Sequence, residues 1–320
     1  MNCTILALDG CPISSVSGPM EIFSLANSFV PMNKAMSIKI VTETENKICC
    51  VGGVQLIGHC TLEEIKYTDL LVIGALGHPS QRSETFNKNT LAWIQIQYEQ
   101  GAQVVSICTG AFLLAATGLL NGKKATTHWA CQRLFRERFP KVKLQSEQMI
   151  TQDGFLYCSG GASAYQDMSL FLVRQHYGNQ VANQCAKTLL IDLDRHTQQQ
   201  YSNFSPFREH QDTLIHELQD WIKIHATESF SISYLAHKIN LSERQFKRRF
   251  KQATKESPLA YIQSLRMEKA KHALETTSKR VEIISNLSGY EDIRFFRQLF
   301  KRTTGLSPSE YRKKFSIINV

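Results

Sequence analysis

The chain has 320 residues, of which 42% are hydrophobic and 20% charged, and a formal net charge of +9. That length suits two domains of about 100–200 residues each, and the composition excludes a disordered or fibrous chain. The charge is unevenly held: from His216 onward there are 20 Lys and Arg against 11 Asp and Glu, which accounts for the whole excess. A cationic third behind a neutral remainder is the footprint of a partner with a phosphate backbone, or of a surface kept basic for solubility.

Residues 1–178 alternate strand-length apolar runs (4–8, 37–41, 70–73, 104–107 and 155–158) with helix-length stretches (20–27, 90–100, 111–117 and 164–175). This alternation predicts a parallel sheet covered on both faces, interrupted by a short hairpin at Val51-Gly52-Gly53-Val54. The longest apolar stretch, 107–120, is broken by Thr109, Gly110, Thr117 and Gly118, so it is expected to be core and not a membrane span. All nine cysteines lie between Cys3 and Cys185, odd in number and without C-x-x-C spacing. With no cationic leader, this points to reduced thiols in a cytoplasmic protein. The ten histidines show no H-x3-H spacing beside Cys or acidic partners, so neither a metal nor a cofactor is expected.

Cys108 closes an apolar strand (VVSI) and precedes a helix that begins Thr109-Gly110-Ala111. A thiol at a helix N-terminus is expected to have its pKa lowered, although a buried structural cysteine fits the same spacing. Beyond Arg195 the polar stretch 196–206 (HTQQQYSNFSP) has no period and reads as a linker, extending to 215. From Gln211 onward every segment has helical period.

This last third repeats itself. Phe246, Phe250, Lys251, Thr254, Ser257, Pro258 and Tyr261 recur fifty residues later as Phe296, Phe300, Lys301, Thr304, Ser307, Pro308 and Tyr311. Each copy reads as a helix-turn-helix unit. In the first, helix 232–239 is followed by the turn Asn240-Leu241 and a capping box of Ser242 with Gln245. In the second, helix 281–288 is followed by Gly289, with Asp292 as N-cap. On the second helix of the first unit Arg244, Lys247, Arg248 and Lys251 fall in one stripe, opposite Phe246 and Phe250. Arg294, Arg297, Gln298 and Lys301 form the matching stripe in the second. One such helix would be an ordinary solvated face. Two at equivalent repeat positions point to major-groove reading, with Arg suited to guanine and Gln to adenine.

The stretches SISYLAHKINLSERQFKRRFK and LRMEKAKHALETTSKRVEIISNLSGYEDIRFFRQLFKRTTGLSPSEYR resemble the AraC/XylS DNA-binding domain. The resemblance implies a seven-helix domain whose long helix, about 258–276, separates the two units. It places the base-contacting positions on Arg244, Lys247 and Arg248, and on Ile293, Arg294, Arg297 and Gln298. Upstream, SGPMEIFSLAN, SICTGAFLLAATGLLNGKKATTHW and DGFLYCSGGASAYQDMSLFLV resemble the DJ-1/PfpI, class I glutamine amidotransferase-like domain, as fused to an AraC domain in GlxA-type regulators. This implies a doubly wound, flavodoxin-like α/β domain over 1–195 and an all-α DNA-binding domain over 216–320. It also implies Cys108 at a nucleophile elbow, His128 near it, and an oxyanion hole around Gly74.

DJ-1-like enzymes carry a Glu about four residues before a Pro; counting back from Pro19 gives Ser15. Without that acid Cys108 and His128 are expected to be vestigial, and the site to serve as a ligand pocket. Its expected lining is Glu21, Gly74, Cys108, Thr109, His128 and Trp129, with Trp129 offering an aromatic face to a small nitrogen compound. The expected protein is therefore a homodimeric, effector-controlled regulator, commonly an activator, that binds promoter DNA and RNA polymerase. The alternatives are an amidase, isomerase or glyoxalase-like enzyme using Cys108 with a fused DNA-binding module, and a ligand-independent architectural DNA binder.

Overall fold

A computed structural model describes residues 1–77, 86–193 and 195–318, which divide into two compact units, Met1–Gln198 and Gln199–Val320. In the first unit the described strands are β1 (Asn2–Leu6), β2 (Ser37–Thr42), β3 (Lys47–Cys49), β4 (Gln55–Ile57), β5 (Cys60–Thr61), β6 (Leu70–Ile73), β7 (Gln103–Ile107), β8 (Lys124–Ala125), β9 (Lys143–Leu144), β10 (Ile150–Asp153) and β11 (Leu156–Ser159). Its α-helices are α1 (Ser14–Asn27), α2 (Lys88–Glu99), α3 (Gly110–Ala116), α4 (Gln132–Arg138) and α5 (Tyr165–Thr188). Seven strands form one sheet in the order β10-β11-β7-β6-β1-β2-β5, parallel except for β10 against β11.

β6 and β11 are buried at every residue, and β1 and β7 at all but the first, as a sheet covered on both faces requires. Period-two alternation sends Ile5 and Val72 to one core, with Phe23, Met168 and Val173. Leu6, Leu71 and Ile73 go to the other, with Ile94, Phe112 and Phe135. The chain winds from β1 to β2 on one side and from β6 to β7 on the other. The crevice at the carboxyl ends of β1 and β6 is therefore the topological switch point, where ligands bind in such sheets. The expected hairpin is present as the separate two-stranded ladder of β3 and β4.

The second unit is helical: α6 (Thr213–His225), α7 (Ile232–Lys238), α8 (Glu243–Thr254), α9 (Pro258–Thr276), α10 (Val281–Leu287), α11 (Ile293–Thr304) and α12 (Pro308–Phe315). Two cores hold it. The first gathers Ile215, Leu218, Leu235, Phe246 and Phe250 with Tyr261 and Ile262 of α9. The second gathers Ile284, Phe296, Leu299, Phe300 and Tyr311 with Met267, Ala270 and Leu274 of the same helix.

The division between the two units, at Gln198 and Gln199, falls within the stretch read as a linker, and residues of that stretch pack into the unit they belong to. The Gln198 amide is buried in the first unit, and the Phe204 ring packs on the first core of the second. In the second unit Lys271, itself 4% exposed, donates to Ser202 O at 2.7 Å, and Glu268 accepts from Phe204 N–H at 3.0 Å. No helix of the described residues is long and apolar enough to cross a membrane.

Candidate functional site

Cys108 follows β7 directly and takes φ = +54°, a left-handed conformation that costs a non-glycine residue energy, so the chain turns sharply there into α3. The turn closes because the next helix starts with glycine: a Cβ on Gly110 would lie 2.6 Å from Gly74 O. Cys108, Thr109 and Gly74 are thus brought together at the carboxyl edge of the sheet. The polar groups there are turned on one another. Gly74 N–H donates to Leu6 O at 3.0 Å, Ala75 N–H to Ser15 Oγ at 3.0 Å, and Leu76 N–H to Thr109 Oγ1 at 2.9 Å. Cys108 N–H donates to Ser159 O at 3.0 Å, and Thr127 Oγ1 donates to Cys108 O at 3.0 Å.

This corrects two expectations. The amides of Gly74, Ala75 and Leu76 are already donating within the protein, so they do not form an open oxyanion hole. The thiol pKa is also moved the other way from that expected at a helix N-terminus: burial pushes Cys108 up to about 12, against smaller opposing hydrogen bonds from Thr109. Desolvation can shift a group by several units, whereas a helix N-terminus contributes about 0.3–1 kcal/mol, less than one unit.

Ser15 stands where the acid was sought. It is 1% exposed, donates to Pro12 O at 2.7 Å, and accepts from Ala75. Glu21 is exposed, because α1 turns Ser15, Val16, Pro19, Ile22 and Phe23 inward and so carries Glu21 toward solvent. His128 and Trp129 are half-buried neighbours with ring centroids 5.3 Å apart. His128 Nδ1 accepts from Ala130 N–H at 3.1 Å, which leaves the proton of a neutral ring on Nε2.

Sequence reasoning missed Gln198 beside them. Its Nε2 donates to Thr127 O at 2.9 Å and lies 3.0 Å from Ser146 O, while its Oε1 accepts from Trp129 N–H at 3.3 Å. A polar run without period gave no signal that this amide would be buried.

The cationic helices are built differently. Asn240 takes φ = +53° in the first turn, and Gly289 takes φ = +85° in the second, the left-handed conformation expected of it. Ser242 accepts from Gln245 N–H and Gln245 returns the bond to Ser242 N–H at 3.1 Å, while Asp292 accepts from Arg294 N–H at 2.7 Å. The repeat extends to individual bonds. Thr254 Oγ1 donates to Phe250 O at 2.8 Å and Thr304 Oγ1 to Phe300 O at 2.9 Å, and the Phe250–Tyr261 and Phe300–Tyr311 rings are 5.3 and 5.4 Å apart.

Phe246, Phe250, Phe296 and Phe300 are fully buried. Arg244, Lys247, Arg248 and Lys251 on α8 and Arg294, Arg297, Gln298 and Lys301 on α11 are all exposed. Lys247 pairs with Glu243, and Arg297 with Glu282 at 2.8 Å. Arg244, Arg248, Lys251, Arg294 and Lys301 form no ion pair among the described residues. Ile293 is half-buried against the second core, which limits it to an apolar contact. Arg249, off the stripe, pairs with Asp212 at 2.7 Å; this bond holds the Asp212 carboxyl below the usual range and fastens α8 to the N-cap of α6.

Residues 10–175 match the DJ-1/PfpI family, and residues 235–314 match a helix-turn-helix domain. The chain belongs to the DJ-1/PfpI family, in the group that adds an AraC-type helix-turn-helix domain. It is thus a DNA-binding transcription regulator. Over 309 residues it is 27% identical to the HTH-type transcriptional regulator CdhR of Pseudomonas aeruginosa, covering 96% of this chain and 90% of that protein. Its identity to the regulator GbdR of the same species is 24% over 312 residues, covering 96% and 83%. The isonitrile hydratase of Pseudomonas putida is 34% identical over 129 residues, 39% of this chain and 53% of the enzyme. In fold, an AraC family transcriptional regulator from Pseudomonas putida superposes with a TM-score of 0.52 at 18% identity, over 59% of this chain and 98% of that one.

In this AraC-type member the second helix-turn-helix unit is tied to the first through Arg266 on α9, a residue that pattern reading passed over. Its guanidinium donates to Ala226 O at 2.6 Å, Glu228 O at 2.8 Å and Gly289 O at 2.9 Å, and lies 5.3 Å from the Tyr290 ring centroid. One side chain therefore fixes the turn before α11 against the connection that precedes α7.

Proposed function

We propose that α8 and α11 are the base-reading helices of a sequence-specific regulator, and that the DJ-1/PfpI domain is a retired enzyme serving as a sensor of a small molecule. One observation carries the reading. Arg244, Lys247, Arg248 and Lys251, and Arg294, Arg297, Gln298 and Lys301, stand exposed at equivalent positions of two repeats, each row opposite buried phenylalanines. Exposed Arg and Gln on a capped helix suit base edges and phosphates.

The protonated Cys108, the occupied amides around it and a hydroxyl at Ser15 argue against acid–thiol chemistry. In this reading the effector meets Cys108, Thr109, His128 and Trp129, and the Trp129 face favours a small cationic amine. The regulator acts as a homodimer formed through residues 1–195 and as an activator that engages RNA polymerase; a monomeric mass for that fragment at micromolar concentration would refute the dimer.

The test selects binding sites from a random duplex pool with the full chain. Fluorescence anisotropy then measures Arg248→Ala and Arg294→Ala on the selected site and on scrambled DNA. Each variant should weaken the selected site by about 1–3 kcal/mol and scrambled DNA far less. Equal losses on both would reject base reading. Hydration of small isonitriles or turnover of amides that disappears in Cys108→Ala would reject the retired-enzyme reading.

A further inference from the structure

We propose that Cys11 and Cys50 are a thiol-modification site, joined by a reversible disulfide when the protein meets a hydroperoxide. The two Sγ atoms lie 3.7 Å apart, and no other pair of thiols among the described residues makes such a contact. Cys11 is wholly buried and Cys50 is 3% exposed, so the pair is built into the core and is not a chance meeting of surface side chains.

The backbones on either side are clamped together. Gly10 N–H donates to Cys49 O at 2.6 Å, Val51 N–H donates to Cys11 O at 2.9 Å, and Asp9 Oδ1 accepts from Cys49 N–H at 2.8 Å. The loop after β1 is thus laced to the β3–β4 hairpin on both sides of the thiols. Closing from 3.7 Å to a bond of about 2.05 Å brings the two sulfurs together by less than about 2 Å.

Access comes through the hairpin, a three-residue ladder whose Cys49, Val51 and Val54 are exposed. Cys50 reacts first. Its sulfur attacks the hydroperoxide O–O bond, giving a sulfenic acid and releasing the alcohol, or water from hydrogen peroxide. Cys11 sulfur then displaces hydroxide from the sulfenic acid, which leaves as water with the Cys11 proton. Two thiols lose two electrons and two protons in all, and the peroxide is reduced by two electrons. A dithiol restores both thiols.

The bond would staple the hairpin to the loop that leads into α1, where Ser15 holds the Ala75 amide beside the Cys108 elbow. A change in effector response on oxidation rests on the sensor reading above. The disulfide does not, and it is tested separately.

Native full-length protein is treated with stoichiometric hydrogen peroxide, alkylated under denaturing conditions, and peptide-mapped. The alkylatable thiols should fall by two from nine, with one dithiothreitol-sensitive peptide linking Cys11 to Cys50. Cys49→Ser should leave that link intact, and Cys11→Ser should abolish it and leave Cys50 trapped by dimedone. Nine alkylatable thiols after treatment, or a link through Cys49, would overturn the proposal. The wild-type and Cys49→Ser maps decide this even where Cys11→Ser fails to fold.

Discussion

At the Cys108 elbow the groups that could act on a bound molecule are turned inward, whereas on α8 and α11 they are turned outward. The amides of residues 74–76 and the Ser15 and Thr109 hydroxyls are spent on partners within the protein, and burial pushes the thiol pKa up. On the helices the apolar mass is spent inward as phenylalanine, so that Arg244, Arg248, Arg294 and Lys301 stay hydrated. A buried group whose partners are all internal has little left to offer a substrate. An exposed cation without an acidic partner can release its counterions to phosphate and still reach a base. Backbone geometry and thiol ionisation are therefore separable: the elbow has a φ of +54° while burial pushes its thiol up.

The largest effect should come from the aromatic rows. Phe250→Ala or Phe300→Ala should cost about 3–5 kcal/mol by leaving a cavity behind one cationic face. Urea unfolding of the second unit measures this, and a loss below about 1 kcal/mol would mean that the face is not held from behind. Next come Arg244→Ala and Arg297→Ala, at about 1–3 kcal/mol on the selected DNA site. Arg297 adds a refinement: Glu282→Gln releases its ion partner and should tighten DNA binding slightly, whereas weaker binding would show that the pair orients Arg297.

At the elbow, Cys108 keeps its proton to about pH 12 when folded, while an unfolded cysteine loses it near 8.5. Between those values the unfolded chain binds fewer protons. This contribution to stability is therefore full below about pH 8.5 and lost as pH climbs toward 12. Urea midpoints should fall more steeply above pH 9 in the wild type than in Cys108→Ala, and parallel slopes would place the thiol in contact with solvent. The smallest effect is Cys108→Ala on DNA affinity without effector, expected within about 0.5 kcal/mol.

Much of this was legible because the deciding forces are local. The repeat, the caps at Ser242 and Asp292, and the opposition of Phe to Arg each follow from spacings of a few residues. The elbow was legible too, since a strand ending in Cys before Gly110 leaves few other turns. Its electrostatics were not, because burial is supplied by distant segments and overrides the adjacent helix. The exposure of Glu21 was illegible for a related reason: α1 begins at Ser14, six residues ahead of the stretch read as helix, and turns that position toward solvent. Gln198 was illegible because its partners, Thr127, Ser146 and Trp129, lie 50 or more residues away in sequence.

The sharing of α9 between two cores bears on how the helical unit comes apart. Its first turns carry Tyr261 and Ile262 into one core and its later turns carry Met267, Ala270 and Leu274 into the other. Melting either core strips half the contacts from a single continuous helix, and a frayed half no longer supports the rest. The two helix-turn-helix units should then open as one cooperative foldon, with α9 amides exchanging hydrogen most slowly and all at one free energy. A glycine pair placed at Ser264 and Leu265 should split that single transition into two.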